Sequence, residues 1–194
     1  MNLAETKVFV VSAPSGAGKT TLVQAMLARF DCFAFSVSVT TRPPRAHEQD
    51  GLHYYFRTEA EFRALIAADA FLEWEEVYPG RLYGTLRAEV DRILATGRYP
   101  LFDVDVKGGL NIKKYYQDRA LAIFIQPPSL ERLHERLNKR GTDSPEEIER
   151  RIAKAAYEMS FADQFEHVIV NDRLEDAIAC MADLFAAHLN ATFV

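Results

Sequence analysis

Apolar residues along the chain fall into short runs separated by longer stretches of helical periodicity. Lys7–Val11 is a β-branched run that leads straight into Ser12–Thr21, after which Leu22, Met26, Leu27 and Phe30 recur at helical spacing. That order predicts a strand, a glycine-rich loop and a helix. Comparable runs stand at Phe33–Val39, Leu101–Val106, Leu121–Ile125 and His167–Val170, with helical patterns over 107–116, 129–140, 145–163 and 174–189. Strands alternating with helices predict an α/β fold, in which a parallel sheet is covered by helices on both faces.

Two stretches break the alternation. From Thr40 to Thr85 the chain reads as a loop, a short strand at Tyr54–Phe56, a helix opened by a capping box of Thr58 and Glu61, and a strand near Phe71–Val77. This predicts an inserted αβ lobe. The second excursion, Arg136–Lys154, is dense in charge. Within it Ser144-Pro145-Glu146-Glu147 combines an N-cap, a proline at the first helical position and a glutamate placed to close a capping box. Neither an internal repeat nor a low-complexity linker interrupts the chain.

Composition narrows the class. With 194 residues, 48% hydrophobic and 26% charged, the chain is expected to form one domain of ordinary globular make-up. Val8–Val11 is too short for a signal-peptide core and follows no basic region, and no run approaches the ~20 residues of a membrane span. Cys32 and Cys180 are too few for a disulfide framework or a metal-ligand set, so they are expected as reduced thiols in a cytoplasmic protein. A net charge of −5 argues against a general nucleic-acid binder, whose footprint is a basic face. It leaves room for a local anion site.

Such a site is written into the first loop. Ala13-Pro14-Ser15-Gly16-Ala17-Gly18-Lys19-Thr20 follows the phosphate-binding spacing G-x-x-x-x-G-K-[ST] except that Ala13 stands in the first position. Small residues let successive backbone N–H groups turn inward on an anion, and the following helix adds its positive end. Lys19 is placed to reach β- and γ-phosphates, and Thr20 to offer a hydroxyl to Mg²⁺. Alanine disfavours positive φ, so Ala13 is expected in an ordinary backbone region.

Other candidates lie farther along. Arg42-Pro43-Pro44-Arg45 sets two guanidinium groups on a stiff turn; with the hydroxyls of Tyr54 and Tyr83 they suit a phosphate monoester, or else they line a solvated loop. Glu73 lies in the apolar run Phe71–Trp74, with Glu75 and Glu76 close by. A buried carboxylate there would accept two parallel hydrogen bonds from N1–H and a 2-amino group, as guanine offers, and would be left unpaired by adenine. The alternative is an outward residue on a half-buried strand. Asp103 and Asp105 close the apolar run from Leu101, where open α/β sheets bind ligands, and Asp103 has the place of an aspartate that holds a metal-bound water. Arg140 and Arg151 flank the loop Gly141–Pro145, either as a flap over a transferring phosphoryl group or as parts of a solvated helix face.

Taken together, SAPSGAGKTT, FSVSVTTRPPR, GLHYYF, FLEWEEV, YGT, FDVDVKG, RGTDSPEEIERR and VIVND follow one another as in guanylate kinases, and the resemblance covers nearly the whole chain. It implies a P-loop, three-layer parallel-sheet core (1–35, 90–135 and 155–194), a GMP-binding lobe (36–89) and a small helical lid (136–154). It also implies ATP and GMP as substrates, ADP and GDP as products, Mg²⁺ as cofactor and a place in purine nucleotide metabolism, with dGMP as a second acceptor. No nucleic acid or membrane partner is implied, and the oligomeric state is left open.

Carried over residue by residue, Ser38 and Glu73 resemble the guanine-reading positions, with Thr85, Asp103 and Asp105 beside them. Arg42, Arg45, Tyr54 and Tyr83 resemble the GMP phosphate clamp. Lys19, Arg45, Arg140 and Arg151 resemble the groups around the transferred phosphoryl. Residues 13–21, including Thr21, resemble the ATP loop, and Asn171-Asp172 its adenine side. Thr20, with Asp103 through water, resembles the Mg²⁺ site. Besides Ala13, the sequence departs from the family pattern at Val39, where a polar residue is common. A second departure is the segment from Val77 to Leu82, one residue longer, which should either shift Tyr83 or bulge outward. The acceptor phosphate is already largely ionised at neutral pH, so no general base is required. His47, His53, His134, His167 and His188 are scattered and have no assigned role. The competing readings are a guanylate-kinase-like scaffold that holds phosphopeptides and a P-loop kinase for another small acceptor.

Overall fold

The computed structural model describes residues 6–141 and 144–190, apart from the side chain of Arg140. Its centre is a five-stranded parallel sheet ordered β2-β7-β1-β8-β9. The strands are β1 (Val8–Ser12), β2 (Phe33–Phe35), β7 (Tyr99–Val104), β8 (Ala120–Gln126) and β9 (His167–Val170). β1 is buried at every position, as a central parallel strand covered on both faces requires. Its alternating side chains feed two cores. Phe9 and Val11 pack under α1 (Lys19–Arg29) and α7 (Leu174–Asn190) with Met26, Met181 and Phe185. Val8 and Val10 pack on the other face with Val90 of α3 (Arg87–Ala95) and Ile112 of α4 (Val106–Tyr116). Helix, sheet and helix make the three expected layers.

The inserted stretch forms a second, four-stranded sheet ordered β4-β3-β6-β5, from β3 (Val39–Thr40), β4 (Tyr55–Phe56), β5 (Phe71–Tyr78) and β6 (Arg81–Leu86). Helix α2 (Glu59–Ala67) covers it by stacking Phe62 on Phe71, ring centroids 4.5 Å apart, above Val39 and Leu82. Both halves of the capping box are made: the Glu61 N–H donates to Thr58 Oγ1 at 3.3 Å, and the Thr58 N–H to Glu61 Oε2 at 2.7 Å.

The apolar run Phe33–Val39 is not one strand. Phe33–Phe35 pairs in the first sheet and Val39–Thr40 in the second, and Ser36–Ser38 cross between them. The crossing satisfies its backbone away from a ladder: Ser36 N–H donates to the Leu101 carbonyl at 3.0 Å and Val37 N–H to Glu89 Oε1 at 3.1 Å. Nor do the last two residues of the predicted strand Leu101–Val106 belong to β7, because Val106 begins α4 and Asp105 caps it by accepting from Gly108 N–H at 2.9 Å.

The long hairpin β5–β6 turns at Pro79-Gly80, with Gly80 at φ 74°. Its register slips by one between Glu76↔Leu82 and Tyr78↔Arg81, which leaves Val77 without a ladder partner. The strand bulges at that point, and Tyr83 is in register with Glu75 and Thr40. Last, α5 (Leu130–Arg140) and α6 (Pro145–Met159) close a small core of their own from Leu133, Leu137, Ile148 and Ala155. Ser144 caps α6 by accepting from Glu147 N–H at 3.3 Å, but the Glu147 carboxylate pairs with Arg150 at 2.8 Å.

Candidate active site

β1 delivers the glycine loop at the carboxyl end of the sheet. Gly16 and Gly18 adopt φ of 96° and 94°, whereas the non-glycine residues with positive φ are Asp69 and Gln117 alone among those described. Ala13 therefore sits in the ordinary region expected of it. Gly18 caps α1 without a side chain, so the first-turn N–H groups have no side-chain acceptor and face an anion's position. The loop is packed from behind: Asn171 Nδ2 donates to the Ala17 carbonyl at 2.8 Å, and a Cβ on Gly18 would collide with that amide. A Cβ on Gly16 would press on Leu137 at 2.9 Å, so α5 lies against the loop as well. Pro14 is buried, and Thr20 and Thr21 are exposed at the start of α1.

Lys19 forms an ion pair with Asp103 at the end of β7. Burial draws its pKa down to about 8, against the raising influence of Asp105 and Glu158. Thr20 Oγ1 donates to the other Asp103 oxygen at 3.4 Å. From α6, Arg151 NH2 donates to Ser15 Oγ at 2.5 Å. Arg136 NH2 donates to the Asn171 carbonyl at 2.8 Å and that of Asp172 at 3.5 Å. Asn171 thus turns its side chain to the loop and offers its backbone on the other side. Arg140 ends α5 and its side chain lies outside the described residues.

Opposite the loop lies the second sheet, across a cleft of about 210 Å³. Lys19 and Ser15 line one wall, and Ser38, Tyr54, Glu73 and Tyr83 line the other. Glu73 faces inward, 8% exposed, beside its register partner Thr85, whose hydroxyl donates to Oε1 at 2.7 Å. Burial raises Glu73 to about 7; the Thr85 bond opposes the rise and Asp105 and Glu75 add to it. Its neighbours go elsewhere: Glu75 accepts from Asn111 at 3.3 Å and Glu76 from Gly80 N–H at 2.7 Å. Glu73 and Asp105 converge on Gly108, where a Cβ would stand 2.6 Å from Glu73 Oε2 and 2.9 Å from Asp105 Oδ1.

The arginine turn divides in two. Arg42 is buried and lays its fork on Glu48, both N···O distances 2.8 Å, with Tyr54 and Phe56 rings at 5.2 and 5.7 Å. Those bonds raise Arg42 above its usual range and lower Glu48 to about 2. Arg45 has a side chain 67% exposed, 3.8 Å from Glu48. Burial raises Tyr54, whose ring meets Tyr83 at 6.1 Å. The structure thus gathers Lys19, Thr20, Asp103 and Arg151 at the loop and Ser38, Glu73, Thr85 and Asp105 across from it, and it leaves Arg45 outside.

Sequence reasoning missed Glu48, Lys154 and Glu158. The last two lie on α6 at four-residue spacing and line the cleft, a face that the 151–158 periodicity already carries.

A family model for guanylate kinase matches residues 5–188. The chain is 57% identical to a guanylate kinase of Bacteroides fragilis over 175 residues, 90% of this chain and 86% of that protein. It is 54% identical to one of Bacteroides thetaiotaomicron over 184 residues, 95% and 90% of the two chains. The crystal structure of guanylate kinase from Anaplasma phagocytophilum superimposes with a TM-score of 0.75 at 28% identity, covering 97% of this chain and 89% of that one. With a glycine loop on one wall of the cleft and a buried carboxylate on the other, the chain belongs to the guanylate kinase family and catalyses the ATP-dependent phosphorylation of GMP to GDP.

Proposed function

We propose that the two walls of the cleft divide the substrates, the glycine loop taking ATP and the sheet of residues 39–86 taking GMP. The observation that carries this division is the buried Glu73–Thr85 pair facing Lys19 across one cleft. Glu73, with Ser38, Thr85 and Asp105 around it, reads guanine N1–H and the 2-amino group. Arg42, Tyr54 and Tyr83 hold the acceptor phosphate, and Arg45 swings in from solvent to join them. An acceptor phosphate oxygen attacks the γ-phosphorus as the bond to the β-phosphate oxygen breaks. Lys19 and Arg151, with Arg140, neutralise the charge on the moving phosphoryl group. Asn171-Asp172 borders the adenine side.

The divalent metal of this reaction is, in this reading, Mg²⁺. The Thr20 hydroxyl and the Asp103 carboxylate stand 3.4 Å apart as hard oxygen donors, and no cluster of three or more His, Cys, Asp or Glu occurs among the described residues. That sparse set fits a cation that keeps its waters and takes the rest of its shell from substrate phosphates. Held by the Thr20 hydroxyl and, through water, by Asp103, it would offset the negative charge of the donor phosphates.

In this reading dGMP serves as a second acceptor, as the likeness to guanylate kinases implies. No described helix is long and apolar enough to cross a membrane, in keeping with a cytoplasmic enzyme of purine nucleotide metabolism. The test is steady-state kinetics with GMP, dGMP, AMP, CMP and UMP. Lys19→Ala is expected to lower kcat roughly 100- to 1,000-fold with a smaller change in KM for GMP. Glu73→Gln is expected to narrow the preference for GMP over AMP. An unchanged GMP-to-AMP ratio in Glu73→Gln would remove that wall from base recognition.

A further inference from the structure

Helix α6 carries a polar stripe on one face, because Arg151, Lys154 and Glu158 are spaced three and four residues apart. Arg151 reaches the donor loop at Ser15. One turn on, Lys154 reaches the inserted sheet: Nζ donates to the Val77 carbonyl at 2.9 Å and stands 4.0 Å from the centroid of the Tyr78 ring. Its remaining partner is Glu158, 3.4 Å away on the same helix. Lys154 and Glu158 side chains are 22% and 9% exposed, so this junction is largely desolvated.

The Val77 carbonyl is available for a reason. The register slip leaves Val77 unpaired in the hairpin, and a bulged residue turns a backbone group away from the ladder. The bulge of the hairpin and the lysine on α6 therefore meet at one point. Val77, Tyr78, Lys154 and Glu158 line the same cleft as Lys19 and Glu73. One face of one helix thus touches both walls of the cleft, through Arg151 on the donor side and Lys154 on the acceptor side.

We propose that Lys154 is a positioning residue that fastens the tip of the β5–β6 hairpin to α6, so that the helix presenting Arg151 also fixes the acceptor wall. Glu158 holds the ammonium in place, and the Tyr78 ring supplies a second, non-directional anchor. The consequence is selective. With the fastening gone, the acceptor wall is less often in place while the donor loop, held by its own glycines and by Asn171, is intact. GMP then binds less well, and water reaches the γ-phosphate more often. This inference rests on the assignment of GMP to the inserted sheet.

The test compares Lys154→Met, Lys154→Arg and Tyr78→Leu in a coupled assay that measures ADP and GDP separately. Lys154→Met is expected to raise KM for GMP about tenfold, the scale of one lost charge-assisted hydrogen bond. KM for ATP should stay within about twofold, and more than one ADP should form per GDP. Lys154→Arg should restore both KM for GMP and the one-to-one ratio, and Tyr78→Leu should show the same defect in milder form. The single tryptophan, Trp74 on β5, reports whether each variant is folded. Unchanged KM for GMP with strict one-to-one product formation would overturn the proposal. So would an equal loss with both substrates, which marks a structural role, or an arginine variant no better than methionine. Should Glu73→Gln leave base preference untouched, the assignment of the acceptor wall fails instead, whatever the lysine variants do.

Discussion

At the level of single residues, Glu73 couples burial to base choice. A carboxylate raised to about 7 is about half protonated in the empty enzyme at neutral pH. Guanine presents two donors, so it binds the ionised form and must expel that proton. Below pH 7 a growing share of the free enzyme carries that proton, and KM for GMP should rise about fivefold from pH 7 to pH 6. Steady-state kinetics between pH 6 and 7, above the second ionisation of the acceptor phosphate near ~6, should show this slope. Glu73→Gln should flatten it, and a slope unchanged in that variant would mean another group titrates. Glu73 was legible as a candidate because a charge inside Phe71–Trp74 contradicts its surroundings. Choosing it over Glu75 and Glu76 required knowing that β6 sets the Thr85 hydroxyl opposite Glu73, a pairing twelve residues away. Glu48 was not legible at all: its bond to Arg42 spans six residues of irregular loop, where no periodicity predicts which side chains meet.

Among the elements, those with local causes were legible and those with distant ones were not. The strand, loop and helix at the N-terminus follow from apolar spacing and two glycines, and α2 from its capping box. The run Phe33–Val39 looked like one strand because its residues suit a sheet throughout. What divides it is Glu89, some fifty residues on, which takes the Val37 N–H and also accepts from the Tyr55 hydroxyl at 3.1 Å. Helix α4 shows a different conflict, between the element and the site it carries. Gly108 lies in its first turn with two carboxylates close against it. Alanine there should favour the helix by about 1 kcal/mol, yet its Cβ would push Glu73 Oε2 from its place. Gly108→Ala is therefore expected to keep its melting temperature within a few degrees of the parent while KM for GMP rises at least about tenfold. Calorimetry and kinetics on the same sample would separate the two effects, and a loss of stability with normal KM would contradict the account.

At the scale of the molecule, the net charge of −5 does not keep cations out of the cleft, where they stand among Glu73, Asp103, Asp105 and Glu158. Lys19 and Arg151 gather at the donor loop with Lys154 across from them, and each is already engaged by the protein: Lys19 by Asp103, Arg151 by Ser15, Lys154 by Glu158. These contacts keep cations ordered in a desolvated place before two polyanions arrive. They also link the half-sites, because α6 touches the donor loop and the acceptor hairpin from one face. A nucleotide that orders one wall therefore restrains the helix that the other nucleotide needs, and the second to bind has less freedom to remove. Such coupling must be reciprocal. GMP should raise the affinity for a non-hydrolysable ATP analogue about five- to tenfold, and the analogue should raise GMP affinity by the same factor. Isothermal titration in both orders measures each value. Lys154→Met should bring the factor close to one, since it cuts the link between α6 and the acceptor wall. Independent binding in the parent enzyme would mean that the two walls do not communicate, and coupling that survives the substitution would mean that they communicate through some element other than α6.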